Sequence, residues 1–156
     1  MNINISEITV QLFKNKVLIP TVSAWFIAQS LKVILGFIQE KRFNFKWFIG
    51  TGGMPSSHSA WVMALAVSVG LSVGFDSIPF GIAIAFGFVT MFDAQGSRRT
   101  IGRQAEALNK IMEDIYAKKK VKEERLKELI GHTPIQVFAG AAIGLAVAVI
   151  YYTYFN

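Results

Sequence analysis

The chain has 156 residues, of which 53% are apolar and 17% are charged, and it carries a formal net charge of +6. Soluble domains average about 45–50% apolar and about 25% charged residues, so this composition excludes a disordered chain and favours a protein with much of its surface in lipid. Because the chain has no cysteine, disulfides, thiol nucleophiles and cysteine-ligated metal sites are excluded.

Four apolar stretches, taken in chain order, approach the roughly 20 residues that a helix needs to cross a bilayer. They lie at about 17–38, 59–75, 78–95 and 134–155. Buried helices of a soluble α-protein are the alternative, but four such stretches leave this chain too little polar surface. We therefore predict an all-α fold, a polytopic membrane helix bundle with about four membrane-spanning helices, organised as one membrane domain over residues 1–156.

The basic residues predict how the bundle is oriented. If all four stretches cross the membrane, segments 39–58 and 97–131 share one side, and together they hold 13 of the 16 basic residues. Because basic loops stay in the cytoplasm, we predict a multi-pass protein of the cell membrane with this side, and its active face, in the cytoplasm.

Segment 98–131 is predicted to be a cytoplasmic amphipathic helical insert. Apolar residues recur there at three- and four-residue steps, at Ala105, Leu108, Ile111, Met112 and Ile115. The lysine run at 118–120 is either a solvated helical face or a site of attraction to anionic lipid headgroups. Its mixed charge and the lack of a nucleic-acid-binding module predict membrane lipids, and no nucleic acid, as partners.

The only two histidines, His58 and His132, each stand at the predicted cytoplasmic start of an apolar stretch. A lone histidine near a helix start usually caps or packs, but two at one membrane face point to a shared site. His58 belongs to residues 52–59, Gly-Gly-Met-Pro-Ser-Ser-His-Ser. This segment can act as an anion cradle, because glycines admit backbone amides and a helix N-terminus favours phosphate, or simply as a helix cap.

Four further residues carry charge near the same membrane face. Asp93 lies at or inside the predicted boundary, where a carboxylate needs a partner such as an arginine or a histidine. Arg98 and Arg99 can fork onto phosphate oxygens or anchor a helix at headgroup level. Lys32, within the first stretch, either snorkels to the interface or serves an inward role.

These motifs resemble those of the type-2 phosphatidic acid phosphatase and vanadium haloperoxidase superfamily. Pro55-Ser56-Ser57-His58 looks like its Pro-Ser-Gly-His motif, and the segment that begins Gly131-His132-Thr133-Pro134 looks like its last motif. More closely, the strings at 52–60, 93–109 and 131–134 resemble the divergent bacterial and plastid branch of that superfamily, and the similarity spans roughly residues 18–145.

The resemblance implies phosphoryl transfer through histidine, with no metal and no other cofactor. His132 would be the nucleophile and His58 the general acid, and an imidazole pKa near 6.5 suits both tasks at neutral pH. Binding of the phosphate oxygens would fall to the remaining candidates, which are Ser56, Ser57 and its neighbouring amides, Arg98, Arg99 and Lys32, with Asp93 beside them.

The sequence also departs from the superfamily pattern. Ser57 replaces a glycine, and Gln136 replaces the aspartate that orients the nucleophile. The arginine pair stands about 33 residues before His132 instead of roughly six. Asp93 could replace the lost acid only if it folds back to His132.

Three function classes remain. The first is a membrane phosphatase that acts on a lipid phosphate or pyrophosphate, and the second is a non-catalytic phosphate or phospholipid binder that has lost the orienting acid. The third is a membrane scaffold: Gly70-x-x-x-Gly74 and Gly140-x-x-x-Gly144 are small-residue faces of the kind that pack helices, and they make a homodimer a hypothesis as well.

Overall fold

The computed structural model describes residues 4–41, 53–116 and 132–155. These residues form six helices: α1 (Ile5–Phe13), α2 (Leu18–Glu40), α3 (Ser57–Val73), α4 (Ile78–Gln95), α5 (Ser97–Tyr116) and α6 (Pro134–Tyr154). No strand occurs in these ranges, so the predicted all-α class is confirmed. The part of the predicted insert at 117–131 lies outside the described residues.

The four predicted membrane stretches correspond to α2, α3, α4 and α6. Three of these helices are long and apolar enough to cross a membrane, over Leu18–Ile38, Ile78–Gln95 and Pro134–Tyr154. The fourth, α3, has only 17 residues. At 1.5 Å per residue it is about 25 Å long, which is less than the roughly 30 Å hydrocarbon thickness. At least one end of α3 therefore lies inside the hydrocarbon core unless the bilayer thins.

Helix α3 is the centre of the bundle and packs on α6, α4 and α2. Its buried side carries small residues, and Ala60 and Ala64 form the core with Ala24 and Ala28 of α2. Large apolar side chains point outward instead, among them Phe26, Ile34, Phe88, Val89, Ile135 and Phe138. Small residues inside and large apolar residues outside are typical of helices that pack in lipid.

Two glycines determine how closely α6 approaches α3. A Cβ on Gly140 would overlap the carbonyl oxygen of Ser56, and a Cβ on Gly144 would lie 2.9 Å from the backbone nitrogen of Ala64. This Gly-x-x-x-Gly face is thus used within the chain and offers nothing to a second copy. The other pair is also covered, because Phe75 packs on Gly70 and Gly74 is the C-cap of α3.

Two helices differ from the sequence expectations. The N-terminal helix α1 was not predicted; Asn4 caps it, it buries no residue, and its nine residues are too few to show a clear period. Among the positions of α5 whose burial is described, Gly102 and Asn109 are buried, whereas Leu108 and Ile111 of the predicted apolar stripe are about half exposed. Such a stripe suits a helix that lies along a lipid surface.

Candidate functional site

The ends of α3, α4 and α6 meet at one end of the bundle and build the candidate site. There the N-termini of α3 and α6 are joined by a hydrogen bond of 3.0 Å from the amide of Ser56 to the carbonyl of Gln136. The amide of His132 donates to the carbonyl of Ala94, in the last turn of α4, over 3.2 Å. This is the end that the charge distribution predicts to be cytoplasmic.

The structure brings the two histidines together at this end. Their ring centroids are 6.4 Å apart, with an angle of 56° between the ring planes, although the residues are 74 positions apart in the chain. His132 is only 1% exposed, whereas His58 is partly exposed. The proximity expected from their shared membrane face is therefore observed, and their chemical roles stay predictions.

A glutamine holds the ring of His132. Gln136 Oε1 accepts a 3.0 Å hydrogen bond from the amide of Thr133 and lies 3.2 Å from His132 Nδ1. Because an N–H group donates to it, this atom is the amide oxygen, so Nδ1 must carry the hydrogen of that contact. In the neutral ring the lone pair then lies on Nε2. Gln136 therefore fixes the tautomer of His132.

The same glutamine completes a capping box, in which Thr133 caps α6 and receives the Gln136 side chain in return. The Thr-x-x-Gln spacing of this box is readable in the sequence. The sequence identifies Gln136 as the residue in place of the orienting aspartate, and a glutamine can accept a hydrogen bond from an imidazole N–H. The capping box adds that its side chain turns back toward residue 132.

Ser56 caps α3. Of the two alternatives for residues 52–59, an anion cradle or a helix cap, the structure therefore shows the helix cap. The hydroxyl of Ser56 accepts from the amide and the hydroxyl of Ser59, and its side chain is fully buried. Its amide is already donated to Gln136. The amide of Ser57 begins the helix and has no acceptor within it, so this amide remains available for an anion.

Lys32 points inward and does not snorkel. It is 7% exposed, and its Nζ donates to Gln29 Oε1 over 3.2 Å. Gly53 packs on the stem of Lys32 and has a positive φ of 81°. A Cβ added to Gly53 would lie 3.5 Å from Lys32 Cγ. A buried cation thus lies under the loop that leads into α3. Gln29, one helical turn before Lys32, was missed by the sequence analysis, although its i, i+3 spacing places it on the same face.

The remaining candidates are Asp93, Arg98 and Arg99. The side chain of Asp93 is exposed at the end of α4, and the partner of His132 Nδ1 is Gln136 instead. Arg98 and Arg99 occupy the first turn of α5, and their side chains lie outside the described residues. Among the described residues, no three side chains from histidine, aspartate and glutamate come together as a metal site would require.

Comparison with known proteins adds family evidence to this geometry. A family model described as the "Divergent PAP2 family" matches residues 13–147. An uncharacterized membrane protein of Bacillus subtilis (strain 168), YuiD, is 39% identical over 151 residues, which is 90% of this chain and 96% of that protein. No solved structure matches the chain significantly.

Proposed function

We propose, from the premise that this chain belongs to the Divergent PAP2 family, that it is a membrane phosphatase that hydrolyses a lipid phosphate or pyrophosphate at the cytoplasmic face. The observation that carries the proposal is the approach of His58 and His132 to 6.4 Å between ring centroids. A tetrahedral anion between them can meet one imidazole on each side, within ordinary hydrogen-bond reach.

The reaction would proceed in two balanced steps. His132 Nε2 attacks phosphorus and forms a P–N bond, while the P–O bond to the lipid alcohol breaks and His58 gives its proton to the leaving oxygen. Water then attacks the phosphohistidine: a P–O bond forms, the P–N bond breaks and returns the lone pair to His132 Nε2, His58 takes one proton from the water, and phosphate is released. The contact of His132 Nδ1 with Gln136 supports this assignment, since it leaves the lone pair of the neutral ring on Nε2.

The charge that develops on the transferring group needs fixed positive partners. The amide of Ser57, the converging N-termini of α3 and α6 and the buried ammonium of Lys32 are suited to this role. We propose Arg98 or Arg99 as further phosphate ligands, from the family resemblance.

Phosphate release by the purified protein tests the proposal. In nanodiscs with a panel of lipid phosphates and pyrophosphates, the protein should release inorganic phosphate, and His132→Ala should abolish release while keeping the melting temperature. His58→Ala should instead accumulate an acid-labile phosphoenzyme from a substrate with a good leaving group. No release from any substrate in the panel would contradict the proposal.

A second candidate, a phosphate or phospholipid binder without catalysis, is favoured by one observation: the partner of His132 Nδ1 is a neutral glutamine. A neutral amide orients the ring but does not stabilise the imidazolium by charge. Under this alternative, orthovanadate would raise the melting temperature and no substrate would be turned over. Gln136→Glu keeps the side-chain length and supplies the charge, so under the phosphatase proposal it should raise kcat.

A further inference from the structure

Two apolar hollows open on the lipid-facing surface of the bundle near the site. The larger, about 700 Å³, lies between α4 and α6 and is lined by residues that include Phe88, Val89 and Phe138. The smaller, about 280 Å³, lies among α2, α3 and α4, and its lining is Trp25, His58, Trp61, Val62, Phe86 and Thr90. Only the smaller hollow contains one of the two imidazoles among its described lining residues.

We propose that the smaller hollow binds the hydrocarbon chain of the substrate's leaving alcohol. This inference rests on the proposed function, in which His132 attacks and His58 protonates the leaving oxygen. Because attacking and leaving atoms stand on opposite sides of phosphorus, the leaving oxygen must face His58. The first carbons of the alcohol then enter the space that adjoins the His58 ring, and this space is the smaller hollow.

The walls of the hollow suit a hydrocarbon chain. Three of the six lining side chains are large aromatic ones, and the only hydroxyl, that of Thr90, is donated to the carbonyl of Phe86 over 2.8 Å. The wall therefore offers an alkyl chain apolar contact with little competing polarity.

The size of the hollow limits the substrate class. Ligand pockets typically measure about 300–1,000 Å³, so a hollow of about 280 Å³ is at the lower end of that range. It has room for only the near part of a hydrocarbon chain, so the far end of the chain lies in the bilayer. The substrate class is therefore a phosphate ester of a long-chain alcohol.

Two phenylalanines on α4 give a matched test. Phe86 lines the smaller hollow and is 54% exposed, whereas Phe88 lines the larger groove and is 65% exposed. We would measure kcat/KM of the full chain in nanodiscs for dodecyl phosphate and for propyl phosphate, which is too short to fill the hollow. Phe86→Trp is the blocking variant and Phe88→Trp is the control.

The ratio of the two kcat/KM values is the readout, because it does not depend on how much of the variant has folded. Phe86→Trp should lower the dodecyl-to-propyl ratio roughly tenfold, the order of loss expected from overfilling an apolar site, and Phe88→Trp should leave it unchanged. An unchanged ratio for Phe86→Trp, or a lowered ratio for Phe88→Trp alone, would overturn the assignment of the hollow. Failure of the unaltered protein to hydrolyse either ester would instead refute the proposed function, and this inference with it.

Discussion

The close contact between α3 and α6 requires a residue without a side chain at position 140, so the stability of the bundle depends on Gly140. A Cβ built there would lie 3.0 Å from the Cβ of Ser59 and would overlap the carbonyl oxygen of Ser56. Ordinary carbon contacts lie at about 3.5–4.0 Å, so the two helices must separate to admit a methyl group. We predict that Gly140→Ala destabilises the protein although alanine is the better helix former.

The magnitude follows from three opposing contributions. Alanine gains about 0.5–1 kcal/mol over glycine within a helix. Overpacking costs about 1–3 kcal/mol, and separation of the helices weakens the Ser56 to Gln136 backbone hydrogen bond, worth about 0.5–1.5 kcal/mol. The expected net loss is about 0.5–4 kcal/mol, which lowers the melting temperature by about 2–4 °C for each kcal/mol in a chain of this size.

Gly81 provides the control, because it lies within α4 and a Cβ there would meet nothing within 4 Å. Gly81→Ala keeps the propensity gain without the clash, so it should raise the melting temperature slightly. Circular dichroism melts of both variants in the same detergent measure the difference. If Gly140→Ala proved as stable as Gly81→Ala, the close approach of α3 and α6 would be wrong.

Three further outcomes are expected. Tyr152→Phe removes a 3.0 Å hydrogen bond to the carbonyl of Ser68 and the hydrogen bond with the hydroxyl of Ser72. At about 0.5–1.5 kcal/mol for each bond it should cost about 1–3 kcal/mol in detergent unfolding, without changing phosphate release. Gly74→Ala places a side chain at a φ of 98° and should lower the melting temperature by an amount equivalent to at least about 1 kcal/mol, whereas a neutral melt would contradict the turn geometry. Lys32→Met keeps the buried stem but removes the ammonium, so it should reduce or abolish the rise in melting temperature that orthovanadate produces in the unaltered protein. An undiminished rise would show that Lys32 does not bind the anion.

The sequence predicted much of the helical architecture because apolar length is a local property. Each of the four predicted stretches begins and ends within two residues of a helix, from α2 at Leu18–Glu40 to α6 at Pro134–Tyr154. The short helix α1 was not predicted, because its nine residues are far fewer than the roughly 20 that identify a membrane-crossing stretch. Alternation of the stretches across a membrane also predicts that His58 and His132 lie at one face.

What the sequence by itself determined is the helix content, the membrane character and the motifs that resemble one family. Only the tertiary structure decided which residues are in contact at the candidate site. Gln136 contacts the ring of His132, Gly140 packs against the backbone of Ser56, and the stem of Lys32 packs against Gly53. The reason is physical, since a hydrophobic period specifies that a helix forms and which face is apolar. The rotation and depth of that helix against its neighbours depend on the packing of all the helices at once.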